Sequence, residues 1–168
     1  TVCDIRGVGP NTWNNWKAAL LRALYRQTRR ALEGGMEELN REKRGTVAKQ
    51  ELREKLSDWS EADLAHETSR HYGPYWQGLH VTAHVIFANL LRGLTDDEVR
   101  MDIHPDDDRD ATRVCFALQD HPGIFSRLTG ALALSGANVV DARTFTTRDG
   151  YATAVFWIQD ADGAPYEE

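Results

Sequence analysis

Cysteine and methionine each occur only twice in 168 residues, and proline five times. The two cysteines, Cys3 and Cys115, are far apart in apolar surroundings, so buried, reduced thiols are expected and a disulfide framework is not. The cytoplasm is the expected compartment. No apolar run approaches the roughly 18 residues of a membrane span, and the start lacks the basic-then-apolar progression of a signal peptide. Also absent are a glycine-rich phosphate loop, a Cys-x-x-Cys pair, a serine elbow and a His-Glu-x-x-His segment, so no complete catalytic site is expected. The chain lacks an initiator Met, and Thr1–Ile5 reads as the interior of an element begun upstream. Both ends are therefore expected to be cuts in a longer soluble protein.

What is present is ordinary globular composition, 41% hydrophobic and 27% charged, with an uneven charge. Residues 1–56 hold 12 Lys/Arg against 7 Asp/Glu, whereas residues 57–168 hold 8 against 19. The acidic second part repels phosphate, so no nucleic-acid partner is expected.

The spacing predicts helices first and strands later. Gly7-Val8-Gly9-Pro10 is a turn, and Asn11 or Thr12 caps a helix to about Glu33. Trp13, Trp16, Leu20, Leu24 and Ala31 share one face of that helix. Arg22, Arg26, Arg29 and Arg30 lie on the other side as a solvated face. Residues 36–56 suit a solvated helix with few core positions, interrupted near Gly45. Ser60 caps a third helix to about His71, Tyr72–Trp76 breaks the pattern, and a fourth helix spans Val81 to Leu91. From Thr95 the period changes. Strands are predicted at Val99–His104, Arg113–Leu118, Asn138–Thr146 and Tyr151–Gln159. Pro105–Asp110 is an acidic turn, a helix runs from the Asp120–Gly123 corner to Gly136, and Arg148-Asp149-Gly150 closes a hairpin. The fold class is α+β: a helical segment, then βαββ with an extra leading strand.

Few residues suggest chemistry. Asp4 stands alone among apolar neighbours, which suits a metal ligand, a cap or a partner of Arg6. His80 and His84 are four apart on a helix, a spacing that can hold zinc, but no further ligand follows. Asp120-His121-Pro122-Gly123-Ile124 joins a strand to a helix N-terminus, where free N–H groups attract an acceptor. Asn138 and Asp141 would complete a small polar pocket there; a tight turn with ordinary capping is the equal alternative.

Two stretches are familiar. Residues Asp120–Leu132, then Gly136-Ala137-Asn138-Val139-Val140-Asp141-Ala142, then Thr146-Thr147-Arg148-Asp149-Gly150, resemble an ACT domain. Thr1–Arg6, Val8-Gly9-Pro10, Trp13-Asn14 and Trp16-Lys17 resemble the end of an HD domain. In that order the pair resembles the family of bifunctional PII uridylyltransferase/uridylyl-removing enzymes.

The resemblance implies the end of an HD domain over 1–35, a helical linker over 36–94 and an incomplete, ferredoxin-like ACT domain over 95–168. In that family one domain attaches UMP from UTP to the PII signal protein, the HD domain removes it by hydrolysis, and ACT domains sense L-glutamine. Asp4 matches the last metal ligand of the HD site, which implies a divalent cation, Mg or Mn, in the intact enzyme and none in this chain. Asp120, His121, Pro122, Gly123, Ile124, Asn138 and Asp141 match effector-binding positions, usually shared between paired ACT domains. Tyr151-Ala152-Thr153-Ala154 replaces a more acidic pattern after the hairpin. The rival reading is a non-enzymatic ACT module that binds an amino acid and oligomerises; a plain scaffold binding no small molecule is a third.

Overall fold

The computed structural model describes Trp13 and residues 15–34 and 37–167. Cys3, Asp4, the Gly7–Pro10 turn and the Asn11/Thr12 cap lie outside the described residues.

Helices α1 (Asn15–Gly34), α2 (Glu37–Lys55), α3 (Glu61–Arg70), α4 (Gly73–Gly78) and α5 (Val81–Leu91) come first. Strands β1 (Val99–Asp106) and β2 (Ala111–Gln119), helix α6 (Ile124–Leu134), and strands β3 (Asn138–Thr146) and β4 (Tyr151–Gln159) follow. The strands form one sheet in the order β1-β2-β4-β3, with every neighbouring pair antiparallel. β2 and β3 thus run the same way with β4 between them, the split arrangement of a βαββ unit. The predicted fold class is observed, and the leading strand pairs with β2 at a sheet edge.

Helix boundaries follow local chemistry. The Ser60 hydroxyl accepts from the Asp63 N–H at 3.1 Å, and Glu61 and Asp63 complement the helix dipole. Three expectations change. α2 runs unbroken through Gly45, and its Leu52 is fully buried, so it is a core helix despite its charge. Tyr72–Trp76 is not merely a break: α4 forms there with proline in its first turn, driving Tyr75 and Trp76 into the core. Pro105 and Asp106 extend β1, because an edge strand tolerates a residue without an N–H. On α1 the apolar face is open: Leu20, Leu24 and Tyr25 are all exposed.

The sheet is covered on both sides. Leu52, Leu56, Tyr75, Trp76, Phe87 and Leu91 pack with Cys115, Ala117 and Val155 on one face. Leu128 and Leu132 of α6 pack with Val114, Phe116, Ala154 and Phe156 on the other. At the first interface His71 stacks on Tyr75 with ring centroids 3.7 Å apart, and Tyr75 meets Phe145 of β3 edge-on. α4 ends against β3 so closely that a Cβ on Gly78 would lie 2.9 Å from the Phe145 ring. Burial pushes the Cys115 thiol up to about 12, so it is an inert core residue.

His84 is fully buried, with Nε2 3.2 Å from the Tyr75 carbonyl, while His80 caps α5 by accepting from the Thr82 N–H. The two histidines therefore do different jobs. Burial pushes the His84 imidazole down to about 4. Below the unfolded value near 6.5, the unfolded chain takes up a proton that folded His84 refuses, so stability falls as pH drops from 6.5 towards 4. The loss attributable to this group approaches about 3 kcal/mol. Urea titrations across that range should show a shallower acid loss for His84→Gln than for the parent; equal slopes would refute the assignment.

Candidate functional site

The sheet has two ends, and strand direction decides which candidate residues meet. At one end β2 turns into α6. The Asp120 N–H donates to the Gly150 carbonyl at 2.9 Å, and its carboxylate accepts from the Thr146 hydroxyl at 2.9 Å. His121, Pro122 and Gly123 are exposed, and Ile124 is half-buried against the α6-side core. Gly123 precedes α6 with φ +84°, a left-handed conformation that glycine adopts without strain, and no side chain caps the helix. Pro122 therefore lies ahead of the helix, outside its first turn.

Asn138 and Asp141 are elsewhere. Asn138 starts β3 opposite Gln159, and Asp141 faces Trp157. Because β2 and β3 run the same way, the end of β2 lies beside the end of β3, and Asn138 is at the far side. Eight residue steps separate Asn138 from Thr146, roughly 27 Å of strand. One chain does not form the single pocket expected from the sequence; the two groups can share a ligand only across a pair of domains. The Asp141 carboxylate is already engaged, accepting from Arg109 at 2.8 Å. Arg109 lies 3.8 Å from the Trp157 ring centre, and the Trp157 indole donates to Asp106 at 2.8 Å.

Sequence reasoning missed a third polar group, where α3 meets the β3–β4 hairpin. Arg70, 6% exposed, donates to Asp149 at 2.5 and 3.3 Å and to Glu67 at 3.3 Å. Glu67, equally buried, also lies 2.9 Å from His71 Nε2. The Arg148 N–H donates to the Arg70 carbonyl at 2.8 Å, so backbone and side chain both hold the hairpin. Burial favours protonation of Asp149, but hydrogen bonds from Arg70 and Thr147 outweigh it and hold the carboxyl below its usual range. The hint in the sequence was Glu67, Arg70 and His71 sharing a helix face; their hairpin partner, 79 positions from Arg70, carried no local signal. A cavity of about 260 Å³ opens beside this group, between α3, the α5–β1 corner and the hairpin. Among the described residues no three His, Cys, Asp or Glu side chains gather as a metal site.

Residues 112–168 match the ACT domain. The match takes in β2, α6, β3 and β4 and leaves out β1 and α1–α5. The chain is 68% identical over 99% of its length to a bifunctional uridylyltransferase/uridylyl-removing enzyme of Cereibacter sphaeroides. Proteins of the same description from Ruegeria pomeroyi and Azospirillum brasilense are 65% identical over 99% of the chain and 43% over 97%. The chain spans 18% to 19% of the length of these curated relatives. The resemblance to this enzyme family drawn from the sequence is borne out.

The two ion-pair groups should differ in weight. Arg70→Ala strands the buried Glu67 carboxylate and should cost about 3–5 kcal/mol in urea unfolding. Arg109→Ala breaks a half-buried pair together with its stack on Trp157 and should cost about 1–2 kcal/mol. Equal costs would show that burial does not set their energies.

Proposed function

We propose that this chain is the part of a bifunctional uridylyltransferase/uridylyl-removing enzyme that passes an amino-acid signal from an ACT domain to a hydrolytic domain. The observation that carries this reading is 68% identity over 99% of the chain, well beyond the ACT residues 112–168. A free-standing, non-enzymatic ACT module leaves the likeness over α1–α5 and β1 unexplained.

On this reading the whole protein attaches UMP from UTP to the PII signal protein and removes it by hydrolysis, in the cytoplasm. L-glutamine is the effector at its ACT domains, and paired ACT domains bring an Asp120–Ile124 turn and an Asn138–Asp141 strand together. Asp4 is a ligand of the divalent cation, Mg or Mn, in an HD-type site. A lone carboxylate does not hold a catalytic cation, so the other ligands come from elsewhere in the longer protein. When bound, such a cation polarises the phosphodiester and activates water.

For this chain the task is transmission. Allostery requires the effector to favour one arrangement of packed elements over another. Helix α5 packs on the ACT sheet, α4 ends against Phe145 of β3, and α2 and α3 share their core, so movement of β3 or the hairpin bears on the helical layer. One tie between the layers is Arg143 on β3, which donates to the Gly78 carbonyl at the end of α4. Removing whole helices would expose the sheet and unfold it, so a point substitution is the better probe. In the full-length enzyme, Arg143→Ala should retain saturable heat on titration with L-glutamine yet weaken glutamine control of UMP removal several-fold. Undiminished control would overturn transmission through this tie. No heat at millimolar glutamine from folded parent enzyme would overturn glutamine as the effector.

A further inference from the structure

Three apolar side chains stand in a row on the edge strand β1. Val99 is 61% exposed, Met101 58% and Ile103 41%. They pair with Leu118, Phe116 and Val114 of β2, so they carry the α6-side core of the sheet outward to its edge. Helix α6 packs over β3 and leaves the β1 side of this face bare. Beside the stripe Phe116 meets Phe156 edge-on, and Phe125 stacks on Phe156. Single exposed apolar residues are ordinary, but a stripe continuous with a core marks a contact surface. We propose that an amphipathic helix of the same polypeptide, formed after Glu167, covers this stripe.

The course of the chain beyond β4 points to that occupant. After Gln159 the chain turns back, with Pro165 bridging to Gln159, and reaches the α6 face. There the Tyr166 hydroxyl donates to the Ser135 carbonyl at 2.8 Å, and the Tyr166 carbonyl accepts from the Thr112 hydroxyl at 2.7 Å. Thr112 pairs with Pro105 of β1, two residues from Ile103. The chain thus passes from β4 to β2 on the face that carries the stripe, and the next strand in that direction is β1. That polypeptide follows at all rests on the proposed function, in which this chain is part of a longer enzyme; the stripe and the path towards it do not.

Shape and charge define the helix. β1 already holds the edge beside β2, so the open surface is a sheet face, which a helical layer covers. Ile103 to Val99 is four residue steps, roughly 13 Å, which about nine helical residues span. Exposed acids frame the stripe, Asp107 and Asp108 beyond Ile103 and Asp96, Asp97 and Glu98 before Val99. A helix entering at the Ile103 end brings the positive end of its dipole towards Asp107 and Asp108. Its last turn then lies near Asp96–Glu98, where lysine or arginine complements both the carboxylates and the dipole. β1 precedes the residues 112–168 that match the ACT domain, so the stripe belongs to the extra strand of this chain. The cover joins the polypeptide after Glu167 to β1, the strand that leads out of α5.

Thiol labelling tests the cover. Met101→Cys, and separately Val99→Cys, is placed in this 168-residue chain, in the chain extended by about 25 residues of its natural sequence, and in the full-length enzyme. Mass spectrometry reads labelling at the new cysteine alone, and an unchanged melting temperature shows that each variant folds. Both thiols should react about tenfold or more slowly in the two longer chains than in the 168-residue chain, at every protein concentration. The added residues should carry apolar side chains at spacings of three and four, with lysine or arginine in the last turn. Equal rates in all three chains overturn the cover. Protection confined to the full-length enzyme overturns the segment after Glu167 as its occupant. Protection of the 168-residue chain that rises with its own concentration overturns it in favour of a second copy. None of these outcomes decides the proposed function, which stands or falls on glutamine control of UMP removal.

Discussion

Strands β2 and β4 are buried on both faces, and this two-sided burial is the constraint on which the rest of the structure depends. All but one residue of β4 is buried, and β2 is nearly as enclosed. A four-stranded antiparallel sheet more often leaves one face to water, with alternating polar residues. Here Cys115, Ala117 and Val155 point to one side and Val114, Phe116 and Phe156 to the other, so each side requires a helical layer. Helix α6 supplies one layer from within the βαββ unit. Helices α2, α4 and α5 supply the other from earlier in the chain. The helical segment is thereby a structural half of the sheet's environment, whatever else it connects.

Polar groups sit where this apolar sandwich stops. Trp157 lies near the open end of the helix-covered face, and Arg109, Asp106 and Asp141 close over its edge. At the other end Arg70 brings a full charge into the junction between α3 and the hairpin. That charge is tolerated because two carboxylates meet it. The same junction leaves the cleft open, because Arg92 and Asp63 stop at its mouth, in water.

Much of the fold was legible in order. Helix α5 spans Val81–Leu91 as the apolar spacing indicates, and Ser60 caps α3 as its type and position indicate. The Asp149-Gly150 turn sits where a hairpin was expected, with φ +86° at Gly150. Less legible was the burial of α2, because Glu, Lys and Arg outnumber its apolar residues and only contact with α4 and α5 makes Leu52 a core residue. The site was legible in its residue types but not in its assembly. Asp120 and Asn138 carry the right chemistry for a polar pocket, yet strand direction places them at opposite ends of β3.

The sequence by itself determined most of the elements, their order, and the resemblance to an ACT domain and to the uridylyltransferase/uridylyl-removing enzymes, since these rest on local spacing and on short residue strings. Only the tertiary structure decided which side chains meet. Pairing β4 between β2 and β3 separated the Asp120 turn from Asn138, and folding α3 against the hairpin joined Arg70 to Asp149 across 79 positions. The physical reason is range. Helix caps and turns are settled by atoms a few residues apart, whereas a buried ion pair or a shared pocket exists only after burial has brought distant segments together.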